Sequence, residues 1–208
     1  MNKKLNLLGF LVLILSFASC KQEKTTYTQD QYSQILDITY TPNAETRGTG
    51  WFTDQGAWMG FTIPEENDWI NGFCGPYSLD HRTWIAKAAV HVTNEDKNIK
   101  WVHESTNYLP GEIHLVDKSE MGTLTQQLFF VDNQTALLHI TSSANEPLLL
   151  SALNWDTGVV LGKDQNKVIA THPNEEIVIL TFPESMEIKY NENNYEVRTN
   201  SKDFFVEI

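Results

Sequence analysis

TLTQQLFF, at residues 123–130, is the stretch that decides the fold class, because its side chains alternate between apolar and polar along the chain. The apolar positions are Leu124, Leu128 and Phe130, whereas Thr123, Thr125 and Gln127 occupy the other parity. Successive side chains of a β-strand point to opposite faces, so this stretch predicts a strand with one buried face and one wet face.

Similar short segments flank it on both sides, separated by turn-forming residues such as Pro110-Gly111 and Asp132-Asn133. Evenly spaced strands without a crossover helix are typical of an antiparallel β-sandwich or barrel. A capping-box pattern predicts one short N-terminal helix at about 28–37. The run IVIL at 177–180 is apolar at every position and predicts a strand covered on both faces. The predicted strands lie at 57–63, 99–104, 112–116, 122–131, 135–141, 147–155, 167–171, 176–182, 187–190 and 196–199.

The first residues have the pattern of a bacterial lipoprotein leader. Lys3 and Lys4 precede an apolar run at 7–17 that is too short to span a bilayer, and Ala18-Ser19-Cys20 resembles a lipobox. We therefore predict a signal peptide at 1–19, a tether at 20–27 that begins with lipidated Cys20, and one β-sandwich domain at 28–208. The expected location is the bacterial cell envelope, with a lipid anchor on the outer membrane. The acidic and basic residues after Cys20 resemble the surface-export signal of Bacteroidetes lipoproteins, and plain secretion is the alternative.

Composition and motifs exclude several classes of function. The formal net charge is −12, which argues against a nucleic-acid partner because such binding depends on clustered Lys and Arg. The six histidines are scattered without the short spacing of a zinc site, and no nucleophile elbow or phosphate loop is present in the sequence. The adjacent pairs Glu65-Glu66 and Glu175-Glu176 are interpreted as solvated loop charges. We expect neither a metal nor a cofactor.

Aromatic residues are concentrated at 51–84, which contains four of the six tryptophans. Its middle part, 64–82, has no strand pattern and predicts a long aromatic-rich loop. Aromatic rings beside polar side chains suit the recognition of a sugar, and the alternative is a hydrophobic lid or an interdomain contact. The candidate residues for either role are Asp54, Trp58, Trp69, Phe73 and Tyr77.

The motifs DQGAWMG at 54–60 and GFCGP at 72–76, followed by YLPG at 108–111, resemble the N-terminal domain of glycoside hydrolase family 63. The resemblance extends from about Asp30 over most of the chain. It implies a β-sandwich followed by an (α/α)6 barrel that cleaves α-glucosidic bonds with inversion. In that family both catalytic carboxylates lie in the barrel, so no catalytic residue is assigned in this chain. We expect no hydrolysis by the chain alone and a domain truncated at its C-terminal end.

Three functions follow as alternatives. In the first hypothesis, the chain is the non-catalytic N-terminal domain of a family 63 α-glucosidase whose barrel is encoded separately or lost. Alternatively, it is a free-standing lipoprotein that binds an α-glucoside-type oligosaccharide on Trp58, Trp69 and Tyr77. In the third hypothesis, the aromatic segment is only an assembly surface.

Overall fold

The computed structural model describes residues 38–39, 51–64, 70–94, 100–109 and 111–208, and these residues form strands and connecting turns. The predicted helix at 28–37 lies outside the described residues. In the described ranges, no helix has the length and apolar character that a membrane span requires. The strands are β1 (Ile38–Thr39), β2 (Trp51–Phe52), β3 (Met59–Thr62), β4 (Cys74–Ser78), β5 (Thr83–Trp84), β6 (Ala86–Asn94), β7 (Val102–Leu109), β8 (Glu112–Ser119), β9 (Gly122–Phe130), β10 (Ala136–Ser142), β11 (Leu148–Trp155), β12 (Val160–Asp164), β13 (Lys167–Thr171), β14 (Ile177–Thr181), β15 (Glu187–Tyr190), β16 (Tyr195–Thr199) and β17 (Asp203–Glu207).

The strands form two sheets that pack face to face, which confirms the predicted all-β sandwich. The first sheet has the order β1-β7-β8-β9-β10-β17-β14-β13-β12. The second has the order β15-β16-β11-β6-β4-β3-β2, with β5 paired to β4. Pairing between the described strands is antiparallel except for the parallel contact between Gly75 of β4 and Ala88 of β6.

Strand β9 shows the predicted alternation, with Leu124, Leu128 and Phe130 buried between the sheets. The ring of Phe130 approaches that of Phe61 on β3, with a centroid distance of 6.1 Å, so aromatic packing joins the two sheets. Gln126 lies on the same buried face. Its polar side chain is the only interruption of that face within 124–130.

A second inter-sheet contact lies at the other end of the core. Tyr195 packs against Phe182 with a ring-centroid distance of 5.4 Å. Its hydroxyl donates a hydrogen bond of 2.6 Å to the carbonyl of Ala89. Burial raises the pKa of Tyr195 well above its ordinary value, because the charged phenolate would lose its hydration. The neutral hydroxyl therefore serves as a fixed donor inside the core.

The prediction that the run at 177–180 is covered on both faces is wrong, because β14 is buried on one face only. Val178 and Leu180 are buried, whereas Ile177 and Ile179 are 53% and 41% exposed. β-Branched residues suit a strand on either face, so their presence did not decide burial. The outward isoleucines are an exposed apolar strip on the first sheet.

The prediction of a long loop at 64–82 is wrong in part, because strand β4 lies within this segment. The two glycines of the GFCGP motif explain how the chain fits there. A Cβ on Gly72 would lie 2.4 Å from the carbonyl oxygen of Val90, and one on Gly75 would lie 2.9 Å from the Phe61 ring. The motif therefore allows β4 to lie closely between β3 and β6.

The predicted strands also did not include β1, β2, β5, β6, β12 and β17. β6 is central in the second sheet, paired with β11 on one side and β4 on the other. Its sequence is rich in alanine, which has little strand preference of its own. The position of β6 is set by its neighbours rather than by local propensity.

One-sided burial of β14 predicts unequal effects of truncating neighbouring residues. Leu180→Ala should lower the free energy of unfolding by about 2–5 kcal/mol, because it leaves a cavity in the core. Ile179→Ala, the matched control, should cost about 1 kcal/mol or less because its side chain is largely exposed. Urea denaturation of both variants measures the difference. Equal losses would mean that both faces of β14 are covered.

Candidate functional site

A cleft of about 520 Å³ lies in the first sheet between β14 and the β9–β10 turn, beside Glu207 of β17 and Ile208. β14 and β17 are paired at a single position, Thr181 opposite Glu207. Beyond that pair β17 stays with β10, since Ile208 and Ala136 exchange backbone hydrogen bonds of 2.8 and 3.0 Å. The gap exposes part of the second sheet beneath.

The cleft has an apolar floor and a largely polar rim. Trp58 and Met59 line it from the second sheet, and Val178 lines it from the first. Polar groups come from the β4–β5 turn, the β9–β10 turn and the ends of β14 and β17. These polar residues are Asp80, His81, Gln134, Thr135, Glu176 and Glu207.

Glu176 is held in place at the start of β14. One carboxylate oxygen accepts a hydrogen bond from the Ser78 hydroxyl, and the other accepts one of 2.8 Å from the Asn174 amide. His81 lies 3.7 Å from the same carboxylate and donates its backbone N–H to Ser78. Because Ser78 is on β4 and Glu176 directly precedes β14, the contact ties the two sheets together at the cleft.

A histidine–aspartate pair lies beside this network. Nε2 of His172 is 3.0 Å from a carboxylate oxygen of Asp156, and the backbone N–H of Asn174 donates to Nδ1. Burial by itself lowers the pKa of His172, but hydrogen bonds to the side chains of Asp156 and Asn174, together with the charges of Asp156 and Glu176, raise it overall. The hydrogen bond to His172, with one from the Thr157 backbone, lowers the pKa of Asp156.

Trp58 is the predicted site residue that lies in the cleft. Its indole is half-buried against the core, and its carbonyl accepts a 2.8 Å hydrogen bond from the N–H of Leu79. Trp69, the other ring expected beside it, lies outside the described residues, as does Cys20.

The other three predicted residues are distributed elsewhere. Asp54 opens the turn before β3, where its carboxylate accepts the backbone N–H of Gln55 at 2.7 Å. Phe73 is only 4% exposed and belongs to the hydrophobic core. Tyr77 is half-buried and packs edge-to-face on Trp84 with a centroid distance of 5.1 Å. The structure therefore does not bring these residues to Trp58 as one aromatic platform.

Sequence reasoning missed most of the polar rim, and its interpretation of Glu176 as a solvated loop charge is wrong. The Glu176 side chain is 13% exposed and fully engaged by Ser78 and Asn174. The rim residues come from four separate parts of the chain, so no local spacing relates them. The one available signal was the neighbouring apolar run at 177–180, which marks the strand that positions Glu176.

Within the described ranges, no three His, Cys, Asp or Glu residues are arranged to hold a metal ion. The cleft offers an apolar surface and hydrogen-bonding groups to a bound molecule. An aromatic floor excludes water, and exposed carboxylates at Asp80 and Glu207 attract positive charge. Concave sites with apolar walls and a few polar groups are the usual places for recognition.

Comparison with known protein families identifies the family of this chain. The family described as glucosidase YgjK, N-terminal, matches residues 30–204. No curated protein matches the chain. The match confirms the resemblance to the N-terminal domain of family 63 glucosidases, and its residues include the whole cleft except Glu207 and Ile208.

The His172–Asp156 pair predicts a pH-dependent contribution to stability. The pKa of His172 is raised above 6.5, so its stabilisation is complete below that pH and is lost as the pH rises through the raised value. The pKa of Asp156 is lowered below 3.8, so its stabilisation is present above that pH and is lost as the pH falls further.

Asp156→Asn should therefore lower the melting temperature most at about pH 5–6 and less at about pH 8. It should also lower the pKa of His172 in an NMR titration of the ring protons. Asp164→Asn on β12 is a control that removes an exposed carboxylate elsewhere. A melting-temperature difference that stays constant with pH would contradict the coupling.

Proposed function

Because this chain belongs to the family of glucosidase YgjK N-terminal domains, we propose that it is the non-catalytic β-sandwich module of an oligosaccharide-processing glucosidase. The observation that carries the proposal is the match over 30–204, which takes in nearly all of the sandwich. The chain itself would position or stabilise a catalytic unit rather than cleave a bond.

The proposed partner is a catalytic (α/α)6 barrel supplied by another polypeptide. The exposed side chains of Ile177 and Ile179 beside the Trp58 cleft support this, because apolar surface next to a concave site is typical of protein interaction sites. Buried tryptophans are also frequent energetic anchors of such interfaces. We place the partner on the face that carries the cleft.

Carbohydrate binding is the second candidate, and one observation favours it. Trp58 lies in the same cleft as Gln134, Asp80 and Glu207, so an apolar ring and hydrogen-bonding groups are available together. An α-glucoside-type oligosaccharide would place C–H groups on the ring and hydroxyls on the rim. This candidate differs from the first in requiring no polypeptide partner.

We also propose that the chain is attached to the bacterial envelope through lipidated Cys20. The charged leader, apolar run and small residues before Cys20 support this location. A lipid anchor would hold the chain at the membrane surface.

The partner hypothesis predicts binding to a family 63 catalytic barrel from which its own N-terminal domain has been removed. Titration calorimetry should show saturable binding, and Trp58→Ala should weaken it about tenfold or more because a central anchor is lost. Val102→Ala, an exposed position on β7 that three strands separate from β17, should leave the affinity unchanged. The chain alone should release no glucose from maltose.

Two results would contradict the partner hypothesis. The first is no binding of the barrel by the folded chain. The second is saturable binding of maltoheptaose that Trp58→Ala weakens, while the same substitution leaves binding of the barrel unchanged. That result would favour the carbohydrate candidate.

The anchor hypothesis predicts that Cys20→Ser abolishes incorporation of labelled palmitate when the gene is expressed in a bacterial host. The variant should move from the membrane fraction to the soluble fraction, since the acyl chains are the proposed anchor. Cys74→Ser, which removes the other cysteine, is the control. Labelling that persists without Cys20 would refute the assignment.

A further inference from the structure

Each sheet of the sandwich ends in a short strand, β12 in the first sheet and β15 in the second, and within the described ranges neither has a further strand beyond it. The two strands lie against each other, because Lys163 of β12 contacts Ile188 and Tyr190 of β15 contacts Leu161. Leu161 and Ile188 both bury their side chains in the core. The sandwich therefore has two outer strand edges side by side.

The register of β12 shows which of its backbone groups face the outer edge. Phe182, directly after β14, donates its N–H to Asn166, directly before β13, so even-numbered residues of β13 face β14 and odd-numbered ones face β12. Ile169 is opposite Gly162, so Gly162 faces β13. The backbone groups of Leu161 therefore face outward, as do those of the other odd-numbered residues of β12.

The same reasoning applies to β15. In the turn toward β16, Asn191 donates its N–H to the carbonyl of Asn194 at 2.9 Å, so odd-numbered residues of β15 face β16. The backbone groups of Ile188 and Tyr190 therefore face outward. Outward N–H and C=O groups on a terminal strand are a template for pairing with another strand.

One outward carbonyl on each edge is occupied by a side chain from the other sheet. The ammonium group of Lys163 donates a hydrogen bond of 2.9 Å to the carbonyl of Ile188. The hydroxyl of Tyr190 donates one to the carbonyl of Leu161. Each contact thus removes an acceptor that an incoming strand would need.

A second copy of this chain is the partner that these edges would accept. Charges of opposite sign lie along them, with Lys163 and Asp164 on β12 and Glu187 and Lys189 on β15. Opposite charges on adjacent strands attract, so the net charge of −12 does not keep two copies apart at these edges.

We propose that Lys163 and Tyr190 form an edge latch that prevents β12 and β15 from pairing with a second copy of this chain. Each residue protects the strand on which it does not lie. Addition of a strand to β15 must break a hydrogen bond to a charged ammonium group, which is stronger than a neutral one. The inference does not depend on the proposed function.

A role only in joining the two sheets is the alternative, and it makes a different prediction. Loss of a contact that only joined the sheets would lower the free energy of unfolding without directing assembly to one edge. Loss of the latch would instead open a particular edge of a chain that stays folded.

The test compares Lys163→Met and Tyr190→Phe, which each remove one donor and keep most of the side chain. In sedimentation velocity of the full chain, each should raise the association constant between copies at least about tenfold. On association, Lys163→Met should slow hydrogen exchange at the Ile188 and Tyr190 amides. Tyr190→Phe should slow it at the Leu161 and Lys163 amides, which gives a crossed pattern.

Two controls separate the latch from other effects of substitution. Lys189→Met removes an exposed lysine of β15 whose backbone faces β16, and should leave association unchanged. Leu180→Ala weakens the core without touching either edge, and should not produce the crossed exchange pattern. The two latch variants are tested separately, so that misfolding of one leaves the other to decide.

Unchanged association in the folded variants would overturn the proposal. Slowed exchange at the same amides in both variants would do so as well, because each residue would then not protect the opposite strand. Association of Lys189→Met or Leu180→Ala to the same extent as the latch variants would show that lost charge or lost stability is the cause.

Discussion

The alternation of side chains and of backbone groups along β14 is the constraint on which the site depends. Because the period is two, Val178 and Leu180 are committed to the core while Ile177 and Ile179 face outward. The same period directs the backbone groups of one set toward β13 and those of the other set toward the cleft. Packing of the core thus fixes which edge of β14 each backbone group faces.

The cleft keeps its shape because polar contacts join the sheets at its margin. Ser78 on β4 and Glu176 at the start of β14 come from opposite sheets and are separated by 98 positions in the chain. Asn174 supports the same carboxylate, and His172 pairs with Asp156 nearby. Hydrogen bonds to a charged carboxylate are stronger than neutral ones, so this margin is firmer than an open sheet edge.

The family motifs have a structural explanation in this chain. Gly72 and Gly75 allow close approach of β4 to its neighbours, and Asp54 fixes the turn that leads into β3. Trp58 follows that turn directly and is thereby placed under the gap in the first sheet. The motifs therefore set the position of β4 and place Trp58 in the cleft.

The sequence by itself determined the all-β class, the buried face of β9 and the family, because alternation and the spacing of glycines and aromatics are local properties. It did not determine β6, whose alanines have no strand preference, or the exposure of Ile177 and Ile179, whose side chains suit either face. Only the tertiary structure decided the cleft. Its floor and rim come from strands and turns that are distant in the chain and adjacent in the fold, and burial depends on neighbours that no local pattern specifies.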